Sequence, residues 1–350
     1  MKKYIKKGSL FIIFILMAYF GYVFVGAMLT KYKPAAIEQI SQIDGDFAID
    51  TANSYSVLIW NIGYGGLGSE MDFFYDGGKQ VRDSEDNVRR NIYKITQFLV
   101  ANDSIDFILL QEVDDKSKRS YGINLIEHFN FALSEHFPFF AYNYKANYVP
   151  VPLFSPMGKV NSGLLSLSKH VPIETKRYSY PGNFSWPTNL FSPDRCFLSN
   201  TFMLNNQREF VLINTHNSAF DDGALRQQQM GFLRQFLRDE VGENKTFLVA
   251  GDWNQCPRGF TPSYQGHVFD TINMVLTPED FLVDGWDFVY ENKVPTNRRV
   301  VAPYVKGETY VTTIDYFLKS SAIEVQSIKT IDLDFANSDH QPVILSFKLN

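Results

Sequence analysis

The hydrophobic pattern divides this chain into one long apolar run near its start and many short apolar runs after it. Residues 10–29 (LFIIFILMAYFGYVFVGAML) contain no charged side chain. As a helix these twenty residues would span about 30 Å at about 1.5 Å per residue, which is the thickness of a bilayer core. From Tyr55 onward the apolar runs are short and end in polar residues, as buried strands do. The pattern predicts a transmembrane anchor at residues 10–30 and a strand-rich domain after it.

Lysines flank the apolar run unequally. Four precede it and two follow it: Lys2, Lys3, Lys6, Lys7, Lys31 and Lys33. Because basic residues favour the cytoplasmic side, residues 1–9 are expected in the cytoplasm and everything after Thr30 on the outer side of the membrane. The alternative is a cleaved signal peptide, for which 25–27 (VGA) would be a usable site. The run is longer than the ~7–15 residues of a typical signal core, which favours a single-pass anchor.

After the anchor the pattern favours an α/β domain. Strands are predicted at 56–62, 107–113, 246–250, 310–319, 323–331 and 343–349, and helices at 224–240 and from Ser84 or Asp86 onward. Residues 31–53 are expected to be a stalk or linker, and 54–350 the catalytic domain. Two stretches rich in aromatic residues and proline, 137–160 and 178–194, are predicted as long loops. Strands with interspersed helices predict a two-sheet sandwich with helices outside.

Composition and charge narrow the range of functions. With 45% hydrophobic and 20% charged residues the chain is a folded protein, and two cysteines exclude a disulfide scaffold or a cysteine-rich zinc site. Six of its 33 basic residues and none of its 38 acidic residues lie in the first 33 positions. The remaining 27 basic residues leave the domain with a net charge of −11. Such a domain is a poor non-specific binder of nucleic acid.

Polar side chains recur where the predicted strands end. These are Asn61, the pair Gln111 and Glu112, the segment 214–217 (NTHN), the segment 251–254 (GDWN), Asp315, and the segment 338–341 (SDHQ). A lone polar residue at a strand end is usually a turn former. Six such groups, each polar beside an apolar strand, are better explained by one shared site.

In order along the chain, the motifs WN, LLQEVD, SGLLSLSK, NTH, GDWN, IDYFL and SDHQPV resemble those of the endonuclease/exonuclease/phosphatase superfamily, the DNase I-like phosphohydrolases. They span residues 60–343. The resemblance implies a four-layer α/β/β/α sandwich, a divalent metal (usually Mg²⁺, with Mn²⁺ as an alternative) and hydrolysis of a phosphoester. None of these motifs specifies the substrate.

Hard oxygen ligands suited to Mg²⁺ are offered by Asn61 and Glu112. Asp339 is either a second carboxylate ligand or part of the catalytic network. Some relatives carry Asp two residues after the motif asparagine, where this chain has Gly63. The metal site is therefore expected to depend mainly on Glu112.

The catalytic residues are predicted to be His216, Asp252, Asn254, Asp315 and His340. Asp252 would orient or deprotonate the attacking water, and Asn254 would donate to a phosphate oxygen. His340 is expected to act as a general base or as a phosphate-binding imidazolium, held by Asp315. His216 matches a family position occupied by His or Tyr and would contact the phosphate or the leaving oxygen.

Arg195 and Asn217 are predicted to bind substrate, and the expected protein is a monomer. Three functions remain open. The favoured one is a membrane-anchored, metal-dependent phosphoesterase acting on a small or lipid-linked substrate. A membrane-tethered nuclease is less favoured because the domain is acidic, and the third alternative is a non-catalytic binding module with the same fold.

Overall fold

Four α-helices and seventeen strands are present in the computed structural model, which describes residues 2–45, 47–242, 246–269, 271 and 274–350. Met1, part of the predicted cytoplasmic segment, lies outside the described residues. The helices are α1 Lys2–Thr30, α2 Glu85–Ala101, α3 Leu125–Ala132 and α4 Ala224–Phe236. The strands are β1 Ile37–Gln42, β2 Ala48–Ile49, β3 Ser54–Asn61, β4 Phe107–Asp114, β5 Phe137–Val149, β6 Gly158–Ser168, β7 Glu174–Ser179, β8 Cys196–Leu204, β9 Glu209–His216, β10 Thr246–Asp252, β11 Val268–Phe269, β12 Trp286–Val289, β13 Asn297–Arg298, β14 Tyr310–Thr312, β15 Asp315–Ser320, β16 Ile323–Thr330 and β17 Val343–Leu349.

Two large sheets pack face to face. One has the order β1-β7-β8-β9-β10-β15-β12, with β2 beside β8, and the other has the order β16-β17-β3-β4-β6-β5. Alternation along the strands explains the packing, since Val57 and Ile59 of β3 enter the core between the sheets while Leu58 and Trp60 point to the outer layer. A smaller sheet, β11-β14-β13, lies beside them.

Helices cover the outer faces of both large sheets. The apolar side of α2, which carries Ile92 and Leu99, packs with α3 on the six-stranded sheet. Met230 and Leu233 of α4 pack on the eight-stranded sheet. Ser84 caps α2 by accepting a hydrogen bond from the backbone N–H of Asn87. The predicted four-layer sandwich is confirmed.

Two local predictions are wrong. The expected stalk is partly built into the domain, because β1 (Ile37–Gln42) pairs antiparallel with β7 at the edge of the eight-stranded sheet. The expected loop at 137–160 contains most of a long hairpin, in which β5 pairs with β6. Its aromatic side chains lie on both faces of β5, so they hide the alternation that marks a strand. Only residues 150–157 of that stretch connect the strands.

Helix α1 has the properties expected of a membrane anchor. Residues Lys7–Thr30 form a continuous helix, in which an 18-residue window has a mean hydropathy of 2.4, and it is long and apolar enough to cross a bilayer. Most of its side chains are exposed, but Val23 is buried against the domain. The helix thus joins the domain along its last third.

Candidate active site

Strand pairing brings the predicted catalytic residues to one edge of the sandwich. In the eight-stranded sheet Asp252, at the end of β10, is aligned with His216 of β9 on one side and with Asp315 of β15 on the other. The carboxyl ends of parallel strands meet at the same edge, where polar groups can open to a cleft. Gly251 allows this close approach, since a Cβ there would lie 2.2 Å from the carbonyl oxygen of Thr215.

Asp252 is the centre of the hydrogen-bond network. Its Oδ2 accepts from Nδ2 of Asn61 at 2.9 Å and lies 3.3 Å from Nε2 of His216. Its Oδ1 accepts the backbone N–H of Asn254 at 2.9 Å. Nε2 of His340 is 3.7 Å from Oδ2. Asn61 belongs to the six-stranded sheet, so Asp252 joins both sheets at this edge.

His340 and Asp315 form a buried pair. Nδ1 of His340 lies 2.8 Å from Oδ2 of Asp315, and the indole N–H of Trp60 donates to the His340 carbonyl oxygen at 2.9 Å. Burial raises the pKa of Asp315 to about 6, so this carboxyl group is ionised at neutral pH. Burial alone would lower the pKa of His340, but the carboxylates of Asp315, Asp252 and Asp339 raise it well above its usual value. These carboxylates therefore favour the imidazolium form of the ring.

Glu112 is presented by a bulge in β4. Its φ of 55° is in the left-handed region, and the pairing of β4 with β6 changes register between Leu110 and Val113. Bulges of this kind re-aim a side chain beside active sites. The Glu112 carboxylate lies 3.5 Å from Nδ2 of Asn61 and 3.6 Å from Nη2 of Arg119.

The residues predicted to hold a divalent metal fit that purpose. Burial raises the pKa of the Asp339 carboxyl group to about 7, and the charge of Glu112 adds to the increase. A cation near both carboxylates would offset their repulsion, and carboxylate oxygens are the ligands that Mg²⁺ prefers. Within the described residues, Asp252, Asp315 and His340 also place ligand atoms within 4.8 Å of one another. The hydrogen bond from His340 to Asp315 and the 3.7 Å ion pair between His340 and Asp252 already account for that grouping.

The Asn61 amide is oriented by the backbone. Its Oδ1 accepts the N–H of Gly63 at 3.0 Å, which turns Nδ2 toward Asp252 and Glu112. In this arrangement Asn61 fixes the two carboxylates by donating to them. A ligand role, as predicted, would need the amide to turn.

Arg195 and His216 complete the polar end of a cleft of about 1300 Å³. No hydrogen bond joins the Arg195 guanidinium to another residue that the structure describes, and burial lowers its pKa while Glu112 and Asp252 raise it, so it stays a cation. Burial and the charge of Arg195 lower the pKa of His216 well below its usual value. An uncommitted cation and a neutral imidazole thus face the cleft.

The side chain of Asn217, predicted to bind substrate, does not line the cleft. The side chain is fully buried, with Oδ1 accepting from the Thr215 hydroxyl at 2.8 Å and Nδ2 directed at the Met230 sulfur. It anchors the turn after β9 to α4. Its carbonyl oxygen accepts one N–H of the Asn254 amide at 3.0 Å, which leaves the other N–H for a ligand.

Two residues of the site were not predicted from the sequence. Arg119 makes a two-pronged ion pair with Asp114, stacks 3.7 Å from the centre of the Tyr64 ring and directs Nη2 toward Glu112. Asn297 places Nδ2 3.0 Å from Nε2 of His340 and 3.3 Å from the Asp339 carbonyl oxygen. With the amide turned, its oxygen would accept a hydrogen bond from a protonated Nε2. The sequence signals are weak: a basic residue in the loop after β4, and a polar residue in a strand of two residues.

Comparison with known proteins agrees with this geometry. The sequence profile of the endonuclease/exonuclease/phosphatase family matches residues 58–340. No curated protein sequence matches the chain. Among solved structures, the human Nocturnin catalytic domain with bound sulfate is similar at 16% identity and a TM-score of 0.54, over 85% of this chain and 94% of that one. D. rerio TDP2 in complex with a single-strand DNA product is similar at 15% identity and a TM-score of 0.53, over 84% and 99%.

A third similar structure, ANGEL2, is described as a 2′,3′-cyclic phosphatase and has 14% identity and a TM-score of 0.52, over 85% and 95%. At these identities the likeness concerns the fold alone. The family match extends over most of the sandwich and includes every strand end that carries the site. The chain belongs to the endonuclease/exonuclease/phosphatase family.

Proposed function

We propose that this protein is a membrane-anchored phosphoesterase that uses a divalent cation, Mg²⁺ or Mn²⁺, to hydrolyse a phosphodiester or phosphomonoester. The observation that carries the proposal is the buried network in which Asp252 lies within 4 Å of Asn61, His216 and His340. Packing of the sandwich does not require acid, amide and imidazole groups to lie together at the mouth of a cleft. This set of groups suits a reaction that must move protons beside a phosphate.

Glu112 and Asp339 would hold the cation, with Asn61 beside them. When bound, a divalent cation neutralises charge on the phosphate oxygens, which otherwise repel an attacking water. The Arg119 guanidinium, 3.6 Å from Glu112, holds that carboxylate toward the cleft. Arg119 acts through Glu112 and is thus a positioning residue.

Proton transfer falls to Asp252 and His340. The water oxygen forms a bond to phosphorus while the bond from phosphorus to the leaving oxygen breaks. Asp252 takes a proton from the water at Oδ2, and the His340 imidazolium supplies one to the leaving oxygen from Nε2. To return to the starting state, Asp252 Oδ2 loses its proton and His340 Nε2 regains one; these atoms lie 3.7 Å apart, so water in the cleft would carry the proton between them.

Phosphate binding falls to side chains that are already charged or polar in the cleft. Arg195 provides a cation for non-bridging oxygens, and Asn254 provides the N–H that Asn217 does not use. Neutral His216 can donate a hydrogen bond without adding charge. Because these donors are fixed before substrate arrives, little reorganisation is needed in the transition state.

The anchor and the charge distribution support a location outside the cytoplasm. Four lysines precede α1's apolar stretch and two follow it, which favours a cytoplasmic N-terminus and an external catalytic domain. The net charge of −11 after residue 33 supports a small or lipid-linked substrate over nucleic acid. A reagent that cannot cross membranes should then reach the domain in intact cells.

Removal of the metal tests the proposal. We expect the full chain to hydrolyse 4-nitrophenyl phosphate or bis(4-nitrophenyl) phosphate, to lose activity in EDTA, and to regain it with Mg²⁺ or Mn²⁺. Glu112→Gln should raise the Mg²⁺ concentration needed for half-maximal activity by about tenfold or more, because a charged ligand is lost.

Glu135→Gln is the matched control, since this exposed glutamate lies outside the cleft. Full activity in EDTA, or an unchanged Mg²⁺ requirement in Glu112→Gln, would contradict the assignment. Cleavage of single-stranded DNA in preference to both small esters would favour the nuclease alternative.

A further inference from the structure

The cleft that holds the catalytic residues continues into an apolar groove. Its polar end is formed by residues such as Asp252 and Arg195, and its far wall by Phe20 and Phe24 of α1 together with Leu153 and Phe191 of two loops. One cavity thus extends from the reacting groups to a helix that is long and apolar enough to cross a membrane. A small polar phosphoester would leave the apolar end unfilled.

Helix α1 is fixed against this wall. The ring centre of Phe24 lies 6.0 Å from that of Phe191 and 6.2 Å from that of Trp186. The hydroxyl oxygens of Tyr19 and Tyr148 are 3.2 Å apart. These contacts make the helix a wall of the cavity as well as an anchor.

The ammonium group of Lys31, directly after α1, holds the end of the helix to the same wall. It donates to the carbonyl oxygen of Asn189 at 2.7 Å and lies 3.4 Å from the Asp194 carboxylate. The polar contact at the helix end and the aromatic contacts above it fix both the position and the rotation of α1 on the domain.

Apolar side chains beside the groove are exposed on the surface. Phe154 is 99% exposed and Trp186 is 67% exposed, with Val151 and Leu153 nearby on the same loop as Phe154. A cluster of this kind in water is unusual for a monomer, whereas next to a membrane helix it is typical of a surface that enters the interface. Trp186 and Tyr148 are residues that favour that interface.

The position of the groove along α1 matches the depth of one leaflet. Phe20 lies ten residues before Thr30, where the helix ends, and this is about 15 Å of helix, or half of a bilayer core of about 30 Å. The groove therefore reaches from hydrocarbon depth to the catalytic residues. A lipid could enter it laterally without leaving the bilayer.

We propose that the substrate is a membrane lipid with a phosphoester headgroup, whose hydrocarbon chain lies in the groove between α1 and the loops at 150–157 and 184–191. The phosphate would reach Arg195 and His340. Hydrolysis there would give two products, one that is soluble in water and one that stays in the membrane. This proposal rests on the proposed phosphoesterase activity. It assigns to Phe20 and Phe24 a role in substrate selection.

Two phosphodiesters that differ only in their chain provide the test. Hexadecyl 4-nitrophenyl phosphate in mixed micelles and methyl 4-nitrophenyl phosphate release the same chromophore, so their kcat/KM values compare chain binding alone. For the full-length protein we expect the hexadecyl ester to be preferred by ~100-fold or more. The double variant Phe20→Ala, Phe24→Ala should reduce that preference by about tenfold through a lower kcat/KM on the hexadecyl ester, because it removes apolar surface from the groove.

Phe14→Ala is the matched control, because Phe14 lies on the same helix, is exposed and does not line the cleft. Equal losses on both esters, equal losses in the control, or no preference for the hexadecyl ester would overturn the lipid proposal. Preferred cleavage of single-stranded DNA would overturn it too. Failure of the wild-type protein on both diesters and on 4-nitrophenyl phosphate would instead refute the proposed function.

Discussion

The two ends of the cleft are built in opposite ways. At the polar end the proposed catalytic side chains are buried and make hydrogen bonds or ion pairs: Asp252 and Asp315 are 1% exposed and His340 is 5% exposed. Beside the apolar end Phe154 and Trp186 are largely exposed on loops. The first set is fixed by strand pairing and hydrogen bonds, whereas in the second the ring of Trp186 contacts Phe24 of α1 and Phe154 is almost fully exposed.

This difference separates the residues proposed to act in the reaction from those proposed to select the substrate. Charged groups that transfer protons must keep a fixed geometry. Buried hydrogen bonds hold that geometry, and for the same reason these positions tolerate few substitutions. Loop residues that contact hydrocarbon need only area and shape, which many side chains supply. Changes at the polar end should thus affect every substrate, while changes at the apolar end should affect one class.

The largest decrease in kcat is expected from substitutions at the polar end. Asp252→Ala and His340→Ala should each lower kcat by ~10²-fold or more on both the methyl and the hexadecyl esters, because both residues act on the transition state. Steady-state kinetics with the two esters measures this. A loss confined to the hexadecyl ester would show that these residues select substrate, and the comparison between the two ends would fail.

A smaller effect is expected for Asp315→Asn, which should give a kcat between those of wild type and His340→Ala. The carboxylate of Asp315 helps to raise the pKa of His340, so its removal lowers that pKa. The imidazolium is present below its pKa and is lost as pH rises through it. The alkaline limb of the kcat profile should therefore move to lower pH in Asp315→Asn.

The double variant of Asp315 and His340 should raise the activation free energy by less than the sum of the increases in the two single variants, since the two side chains act as a pair. Additive losses, or an alkaline limb that stays in place, would show that the 2.8 Å contact has no part in the reaction.

The smallest effect is expected in the rate of thiol labelling on the surface beside the apolar end. An impermeant maleimide added to intact cells should label Glu135→Cys, because the proposed topology places the domain outside and this position is exposed. Phe154→Cys should react several-fold more slowly, because the proposed contact with the membrane interface would shield it. The native Cys196 and Cys256 are buried and should contribute little. Labelling of Glu135→Cys only after permeabilisation would reverse the orientation, and equal rates would place Phe154 in water.

The sequence predicts the polar end well and the apolar end poorly. Asn61, Glu112 and Asp252 follow apolar strands, so their place at one sheet edge can be derived from the order of the elements. Asn297 could not be found in this way. It approaches His340 from a strand of two residues, and the 42 residues that separate them in sequence carry no pattern that pairs them.

The hairpin β5–β6 was missed for a different reason. Its first strand, Phe137–Val149, contains Pro138 and aromatic residues on both faces, which resembles a proline-rich loop when only the sequence is read. Pairing with β6 imposes the extended conformation. Tertiary context decides such segments, and so the groove beside them could not be predicted from sequence.

The connection between α1 and the first strand of the domain has a consequence for how the protein meets its substrate. Thr30 ends the helix and Ile37 begins β1, so six residues with a reach of about 20 Å join the two. With α1 in a membrane, as proposed, a tether this short, with β1 paired into the sheet, would keep the domain from turning toward another cell surface or following a solute into bulk water. Encounters would occur in cis, by diffusion in two dimensions, and the rate would depend on the mole fraction of substrate in the surrounding leaflet.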